Sequence, residues 1–301
     1  MTTVAFIGLG IMGGPMAANL VKAGFEVVGY NRSPDAVKRL VDAGGRGADS
    51  VAEAVRGADV IVTMVPDSPD VEDVTGGDDG IFANAEKGAL YVDMSSIRPD
   101  VAVRVAEAGR SAGLRVLDAP VSGGEAGAIE GNLSIMVGGE AADFEAAKSV
   151  LDAVGKTIVL VGPAGSGQTV KAANQLIVAV NIEALAEAVA FLEAYGVDLD
   201  AALEVLGGGL AGSTVLARKG PNMRKRDFTP GFRLALHHKD LGIVTSAARE
   251  AGVVIPLGSA VAQLVAALVA RGDGGLDHSG LLKLVLELSG RDSQQDSRKE
   301  D

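Results

Sequence analysis

Val4-Ala-Phe-Ile-Gly8-Leu-Gly10-Ile-Met-Gly13-Gly-Pro-Met-Ala-Ala-Asn19 is the stretch that decides the fold. The apolar run Val4 to Ile7 stops at Gly8 and a helical pattern starts within a few residues, so the segment reads as strand, tight turn and helix. Gly8, Gly10 and Gly13 stand across the turn as G-x-G-x-x-G. In such a turn the first glycine permits the reversal and the second lets the backbone approach a pyrophosphate. The third lets the helix pack closely on the strand. The positive helix end, with its unpaired N–H groups, then faces the phosphates. A dinucleotide is expected over Gly8, Leu9, Gly10, Ile11, Met12 and Gly13. Glycine is abundant here (41 residues), so the weight of the motif lies in its setting between a strand and a helix.

Outward from the turn, strand-like and helix-like segments alternate. Strands are expected at 3–8, 26–30, 59–64, 89–93, 115–118, 133–137 and 157–161. Helices are expected around 15–23, 34–43, 50–56, 69–74, 99–112 and 140–153. Such alternation reads as a doubly wound parallel sheet, a Rossmann domain over residues 1–163. Gly162-Pro-Ala-Gly-Ser-Gly167 then punctuates the chain, and its character changes. Between Gln168 and Tyr195 there is no glycine or proline, which allows one helix of about 28 residues, roughly 42 Å long. Helical patterns continue at 198–206, 234–251 and 256–270, with loops at 207–214 and 219–232, and no strand pattern returns. The expected class is α/β: an N-terminal Rossmann doubly wound sheet followed by an all-α domain over 164–290, entered through one long helix. The polar tail 291–301 is expected to be disordered.

Composition narrows the function classes. A hydrophobic fraction of 48% is ample for a core, and the absence of cysteine excludes disulfides, zinc–thiolate sites and a cysteine nucleophile. A formal charge of −12 argues against a nucleic-acid partner, because phosphate binding needs a basic surface. Any anionic ligand must then be held by local positive groups. Of the three histidines, His237 and His238 are adjacent and would point about 100° apart on a helix, so no metal site is expected. No apolar run is read as long enough for a membrane span and no signal peptide is apparent, so no membrane partner and a cytoplasmic location are expected.

Three further segments carry chemistry. Tyr30-Asn31-Arg32-Ser33 follows the second strand, where an NAD-preferring site usually ends in an acid that bonds the ribose 2′-hydroxyl. An arginine and a serine stand there instead, and a guanidinium suits a phosphate. NADP (NADPH) is therefore favoured, with NAD left open, since the same four residues also make good turn chemistry. Asp118-Ala-Pro-Val-Ser122-Gly123-Gly124 follows a strand and offers a small hydroxyl and backbone N–H groups, a cradle for a carboxylate. The long helix carries Lys171, Asn174, Gln175 and Asn181 within about a 120° sector. Its remaining surface is apolar almost all round, the mark of a buried element, and polar groups on such a helix need partners or a cleft.

The glycine turn, Asp118 to Gly124, the Gly-x-x-Gly-x-Gly-x-x-x-Lys run at 162–171 and Lys239-Asp240 together resemble the β-hydroxyacid dehydrogenases, the family related to 3-hydroxyisobutyrate dehydrogenase. The resemblance covers residues 3–288. Lys171-Ala-Ala-Asn174-Gln175, Asn181 to Ala188, Gly207 to Leu216 and Pro230-Gly-Phe232 look most like its tartronate semialdehyde reductase branch. The resemblance implies an active site in the cleft between the domains, with Lys171 as general acid. It implies substrate contacts from Ser122, Gly123, Gly124, Asn174 and Gln175. Cofactor contacts are implied for Asn31, Arg32, Ser33, Val65, Pro66, Ser96, Phe232 and Lys239. Ala36 stands where the NADPH-using reductases often carry a lysine, which keeps NAD open. The implied reaction is reduction of tartronate semialdehyde to D-glycerate by hydride transfer. 3-Hydroxyisobutyrate dehydrogenase or glyoxylate/succinic semialdehyde reductase activity is the alternative, and a non-catalytic dinucleotide-binding protein is the rival class. The expected partners are a small carboxylate-bearing aldehyde or hydroxyacid and further copies of the chain, as a homodimer or homotetramer.

Overall fold

The computed structural model describes residues 1–291, and the chain divides after Lys171 into two compact units. The first holds nine strands: β1 (Thr3–Ile7), β2 (Glu26–Tyr30), β3 (Arg46–Gly47), β4 (Val60–Thr63), β5 (Leu90–Asp93), β6 (Arg115–Asp118), β7 (Val121–Ser122), β8 (Leu133–Gly138) and β9 (Gly155–Gly162). Their order is β3-β2-β1-β4-β5-β6-β8-β7, with β9 on β8. The sheet is parallel from β3 to β6, and β8 runs antiparallel to β6 and β7. Successive β1 residues point to opposite faces: Val4 and Phe6 join one apolar cluster, Ala5 and Ile7 the other, and all four are buried. Helices cover both faces of such a sheet, so its strands are apolar throughout rather than alternating.

The register positions the candidate site. Ile7 pairs Thr63, Thr63 pairs Asp93, and Asp93 pairs Asp118. These four residues end their strands in one row along the carboxyl edge of the sheet. The strand order reverses beside β1, and in sheets of this kind ligands sit outside the carboxyl ends at that reversal.

The second unit is helical, built around the part of the helix Ser166–Ala194 that follows Lys171. Its core gathers Ile182, Leu185, Val189, Leu241, Val265, Leu281 and Leu282. The sequence patterns located the long helix and those at Leu199–Gly208, Leu234–Glu250 and Pro256–Ala270, but missed Leu281–Leu288. The loop expected over 219–232 is corrected in its first part, because a helix runs from Thr214 to Lys225 through Gly220-Pro221. Ser213 caps it, accepting from Leu216 N–H at 3.0 Å. A Cβ on Gly220 would stand 3.1 Å from Leu203 Cδ2, so the glycine allows a close helix contact instead of marking a turn.

Two readings of the long helix also change. By length and composition it could cross a membrane, so an apolar run of that size is present. Nor is it buried all round: Ile177 and Phe191 are 60% and 62% exposed, while Ala179, Ile182 and Val189 are in the core. The tail expected to be disordered lies, from residue 292 on, outside the described residues.

Candidate active site

The glycine turn is shaped partly by the protein and partly by an open space. Gly8 has φ +99°, and a Cβ there would meet the Met64 carbonyl oxygen at 2.3 Å. On Gly13 it would meet the Gly8 carbonyl oxygen at 1.9 Å. Around Gly10 nothing lies within 4 Å of that position. Gly8 is thus demanded by its positive φ and by the chain just past β4, Gly13 by the close packing of the helix on the turn, and Gly10 keeps clear the approach to the amino end of the helix Gly13–Lys22. That gap fits a pyrophosphate. Leu9 N–H donates to Asn31 Oδ1 at 2.9 Å, and Asn31 Nδ2 donates to the Ser33 carbonyl, so Asn31 braces the turn against the end of β2. Arg32 is exposed and pairs with Asp70 at 3.2 Å.

Along the carboxyl edge the candidate residues leave adjacent strands. Thr63 Oγ1 donates to Asp93 Oδ1 at 2.7 Å, and Ser95 N–H donates to the same oxygen at 3.1 Å. Ser95 Oγ in turn accepts from Val65 N–H at 3.0 Å. The segments bearing Val65-Pro66 and Ser96 are therefore bonded to each other at the ends of β4 and β5. Burial pushes the Asp93 carboxyl up from the usual range, against the pull of its hydroxyl and N–H donors.

At the end of β6, the Asp118 carboxylate seats the start of the long helix. It accepts from Gly165 N–H at 2.7 Å and from Gln168 N–H at 2.9 Å, capping the first turn with negative charge. Burial raises its carboxyl, and the N–H donors oppose that rise. A Cβ on Gly167 would stand 2.4 Å from the Met136 carbonyl oxygen and 2.8 Å from Asp118 Oδ2. The glycine run that read as punctuation is therefore the close seat of this helix on β6 and β8. One turn further on, buried Lys171 donates from Nζ to the Val121 carbonyl oxygen at 2.8 Å. Ser122 follows, then Gly123 and Gly124 at φ +147° and +66°, which open the helix Gly124–Glu130.

In the second unit, Asn174 Nδ2 donates to Gln175 Oε1 at 2.8 Å and Gln175 Nε2 to Asp240 Oδ2 at 2.5 Å. Lys239 pairs with the other Asp240 oxygen at 2.9 Å. Four residues singled out by sequence are thus linked, with Asp240 as their junction. Asn181 is on the same helix, without a part in this chain of bonds. Phe232 stands apart from it, its ring against His237 and His278 at centroid distances of 5.8 and 5.4 Å. Its N–H donates to Asp277 at 3.1 Å.

Sequence reasoning assigned no role to Asp118, Gln168, Asp240 or Asp277. Asp118 and Asp240 lay inside segments quoted for other residues, and Gln168 sits directly after the glycine run, where a buried helix start needs polar partners. Asp277 carries no such signal, because its partners Lys219, Gly231 and Phe232 lie about fifty residues away in the chain.

A doubly wound sheet with this glycine turn at its strand-order reversal defines a dinucleotide-binding α/β protein. Residues 3–162 match the family model described as the NAD-binding domain of 6-phosphogluconate dehydrogenase. Residues 165–285 match that described as NAD-binding of NADP-dependent 3-hydroxyisobutyrate dehydrogenase. The chain is 44% identical over 285 residues to 2-hydroxy-3-oxopropionate reductase of Escherichia coli, covering 95% of this chain and 97% of that one. It is 40% identical to 3-hydroxyisobutyrate dehydrogenase of Pseudomonas aeruginosa, over 94% of this chain and 98% of the relative. Among solved structures, Mycobacterium tuberculosis 3-hydroxyisobutyrate dehydrogenase with L-serine superposes at a TM-score of 0.87, with 36% identity over 95% of this chain and 99% of the other. The chain belongs to the β-hydroxyacid dehydrogenase family, and it is an NAD(P)-dependent oxidoreductase of hydroxyacids.

Proposed function

We propose that this chain reduces tartronate semialdehyde (2-hydroxy-3-oxopropanoate) to D-glycerate with NADPH, Lys171 acting as general acid. The observation that carries the reading is buried Lys171 with its Nζ on the Val121 carbonyl, beside Ser122-Gly123-Gly124. The Ser122 hydroxyl and the N–H groups of Gly123 and Gly124 take the substrate carboxylate. Lys171 gives its proton to the aldehyde oxygen, and Asn174 and Gln175 bond the middle-carbon hydroxyl. The reduced nicotinamide, when bound, supplies hydride to the aldehyde carbon. The glycine turn, Val65-Pro66 and Ser96 hold the dinucleotide, Arg32 and Ser33 meet its 2′-phosphate, and Phe232 and Lys239 add contacts from the second unit. A binder without catalysis has no use for a buried proton donor beside an anion cradle. The exposed apolar residues Ile177, Phe191 and Tyr195 support assembly as a homodimer or homotetramer.

Identity to the E. coli 2-hydroxy-3-oxopropionate reductase supports this substrate over its neighbours. Methylmalonate semialdehyde is the second reading, supported by the 3-hydroxyisobutyrate dehydrogenase relatives. It keeps the spacing of aldehyde and carboxylate and places a methyl where tartronate semialdehyde has its hydroxyl. A site built to bond a hydroxyl rejects the analogue lacking it, because its own polar groups are left unpaired. Ser213 Oγ accepts from Leu216 N–H as a helix cap and both ends of the Gln175 amide are bonded, to Asn174 and Asp240, so that discrimination falls first to Asn174, which Gln175 holds. The test is kcat/KM for tartronate, methylmalonate and succinic semialdehydes and glyoxylate with NADPH and with NADH. Tartronate semialdehyde with NADPH should lead. Equal turnover of methylmalonate semialdehyde would leave only the coarser family activity.

A further inference from the structure

A continuous line of bonds within the first unit joins the segments assigned to the cofactor with the helix that carries Lys171. Val65 N–H donates to Ser95 Oγ at 3.0 Å. The Ser95 carbonyl accepts from Gln168 Nε2 at 2.7 Å, and Gln168 Oε1 accepts from Ile97 N–H at 3.1 Å. The Gln168 side chain thus brackets Ser96, bonding the backbone on either side of it. Gln168 N–H donates to Asp118 Oδ2 at 2.9 Å, and Asp118 ends the strand that leads to Ser122. Gln168, Ser95 and Asp118 are all buried, Gln168 at 1% exposure.

We infer that Gln168, seated by Asp118, is a positioning residue that sets Lys171 against the loops Val65-Pro66 and Ser95–Ile97, so that cofactor loop and proton donor move as one body. The inference rests on the proton-donor reading of Lys171. Gln168 and Lys171 are three residues apart on one helix, hence on neighbouring positions of one face. Asp118 already caps the helix start through Gly165, so the glutamine amide is not needed to begin the helix. Both hydrogen bonds of that amide go to the Ser96 segment instead. Packing alone would be met by a methionine or leucine. An amide fixes direction as well as distance, because exchanging its donor and acceptor ends would leave the Ser95 carbonyl and the Ile97 N–H unpaired. A misplacement of about 1 Å between reacting groups can cost ~10²-fold in rate.

The test is a double-mutant cycle of Gln168→Met with Lys171→Met, read in kcat, aldehyde KM and dinucleotide affinity by NADPH fluorescence. Gln168→Met should lower kcat by about 10–100-fold with aldehyde KM changed less than about threefold. In the Lys171→Met background the same substitution should cost nothing further, because it acts through the lysine. Gln168→Glu supplies a second readout and a substitute should the methionine variant not fold. Its carboxyl donates to the Ser95 carbonyl only when protonated, so its kcat relative to wild type should recover as pH falls from about 8 to about 6. Losses that multiply in the double variant, or a Gln168→Met kcat within about threefold of wild type, overturn the inference while the proton-donor reading stands. A Lys171→Met variant with wild-type kcat overturns both.

Discussion

Lys171 Nζ donates to the Val121 carbonyl oxygen at 2.8 Å, one residue before Ser122. The two come from distant parts of the chain, and the Asp118 cap on the long helix brings them together. A carbonyl is a neutral acceptor, so this bond fixes the direction of the ammonium without itself neutralising its charge.

Lys171→Met should remove turnover and spare dinucleotide affinity. Methionine keeps the length and apolar contacts of the lysine stem and removes the proton, and general acid catalysis is worth ~10²–10⁴-fold. Steady-state kcat and NADPH titration are the two measurements. A kcat within about threefold of wild type would remove Lys171 from the reaction, and an equal loss of NADPH affinity would make it a structural residue.

Arg32 sets the second expectation. Its partner Asp70 is held in an exposed pair, and such pairs contribute little, so the guanidinium can turn to a phosphate at small cost. Arg32→Asp should shift the kcat/KM ratio toward NADH by roughly 10–150-fold, the loss of a charged hydrogen bond. Asp70→Asn should move it the other way, by freeing the arginine. An unchanged ratio in both variants would leave Arg32 a turn residue.

The sequence made the sheet and the glycine turn legible because both are local. Val4 to Gly13 carries its strand, turn and helix within ten consecutive residues, and structure there follows from the absence of side chains. Gly162 to Gly167 was equally visible but was read as a break between elements. Gly167 is needed because Asp118 and Met136 approach its backbone, and Gly165 because Val103 and Pro99 do, and no local pattern reports a distant neighbour. Gly220-Pro221 misled for the same reason: the glycine answers to Leu203 on another helix. Lys171 was picked out by its place after the glycine run, whereas Gln168, three residues earlier, has partners around residues 95–97 that only the fold supplies.

Glu183, on the long helix, gives a pH-dependent expectation. Its side chain is buried, Oε2 has no hydrogen-bond partner among the described residues, and Glu187 lies one turn on. Burial, helped by the Glu187 charge, pushes the Glu183 carboxyl up from 4.5 to about 7. Between those values the folded chain holds a proton that the unfolded chain has released, so stability falls as pH rises through the window. Glu183→Gln should therefore raise Tm above about pH 7, by several degrees for a gain on the order of 1–3 kcal/mol. The advantage should fade toward about pH 4.5, where both forms are neutral. A Tm difference independent of pH would show that the carboxyl is not titrating in that window.

Asp277 should hold the second unit together, and its loss should be read in both stability and acid sensitivity. The carboxylate is fully buried and accepts from Lys219 Nζ at 3.0 and 2.9 Å. Gly231 N–H and Phe232 N–H reach Oδ2 at 3.0 and 3.1 Å, and Ser279 gives its N–H and hydroxyl to Oδ1 at 3.0 and 2.7 Å. Burial alone would raise this carboxyl, but the surrounding positive charge and hydrogen bonds hold it at about 2. His278 beside it is driven down to about 3 by burial, by His237 and by Lys219, so it is neutral in the working range and Lys219 is the charge that matters there. Both shifts have the same sign for stability. The folded Asp277 pKa lies below its unfolded value, so its contribution is complete above about 3.8 and lost as pH falls toward 2. His278 refuses a proton that the unfolded chain takes up, so stability falls from about pH 6.5 toward 3. Asp277→Asn turns amide hydrogens toward donors and leaves Lys219 without its counter-charge, at a cost of about 3–5 kcal/mol. For a domain of this size that is a Tm loss on the order of 10 °C or more at neutral pH. The acid limb set by His278 should persist in the variant, while the part below about pH 4 should be lost with the carboxyl. Lys219→Met combined with Asp277→Leu should recover only part of the Tm, because the N–H groups of Gly231 and Phe232 stay unpaired. An Asp277→Asn variant that melts within about 2 °C of wild type would show that the cluster contributes little to the fold.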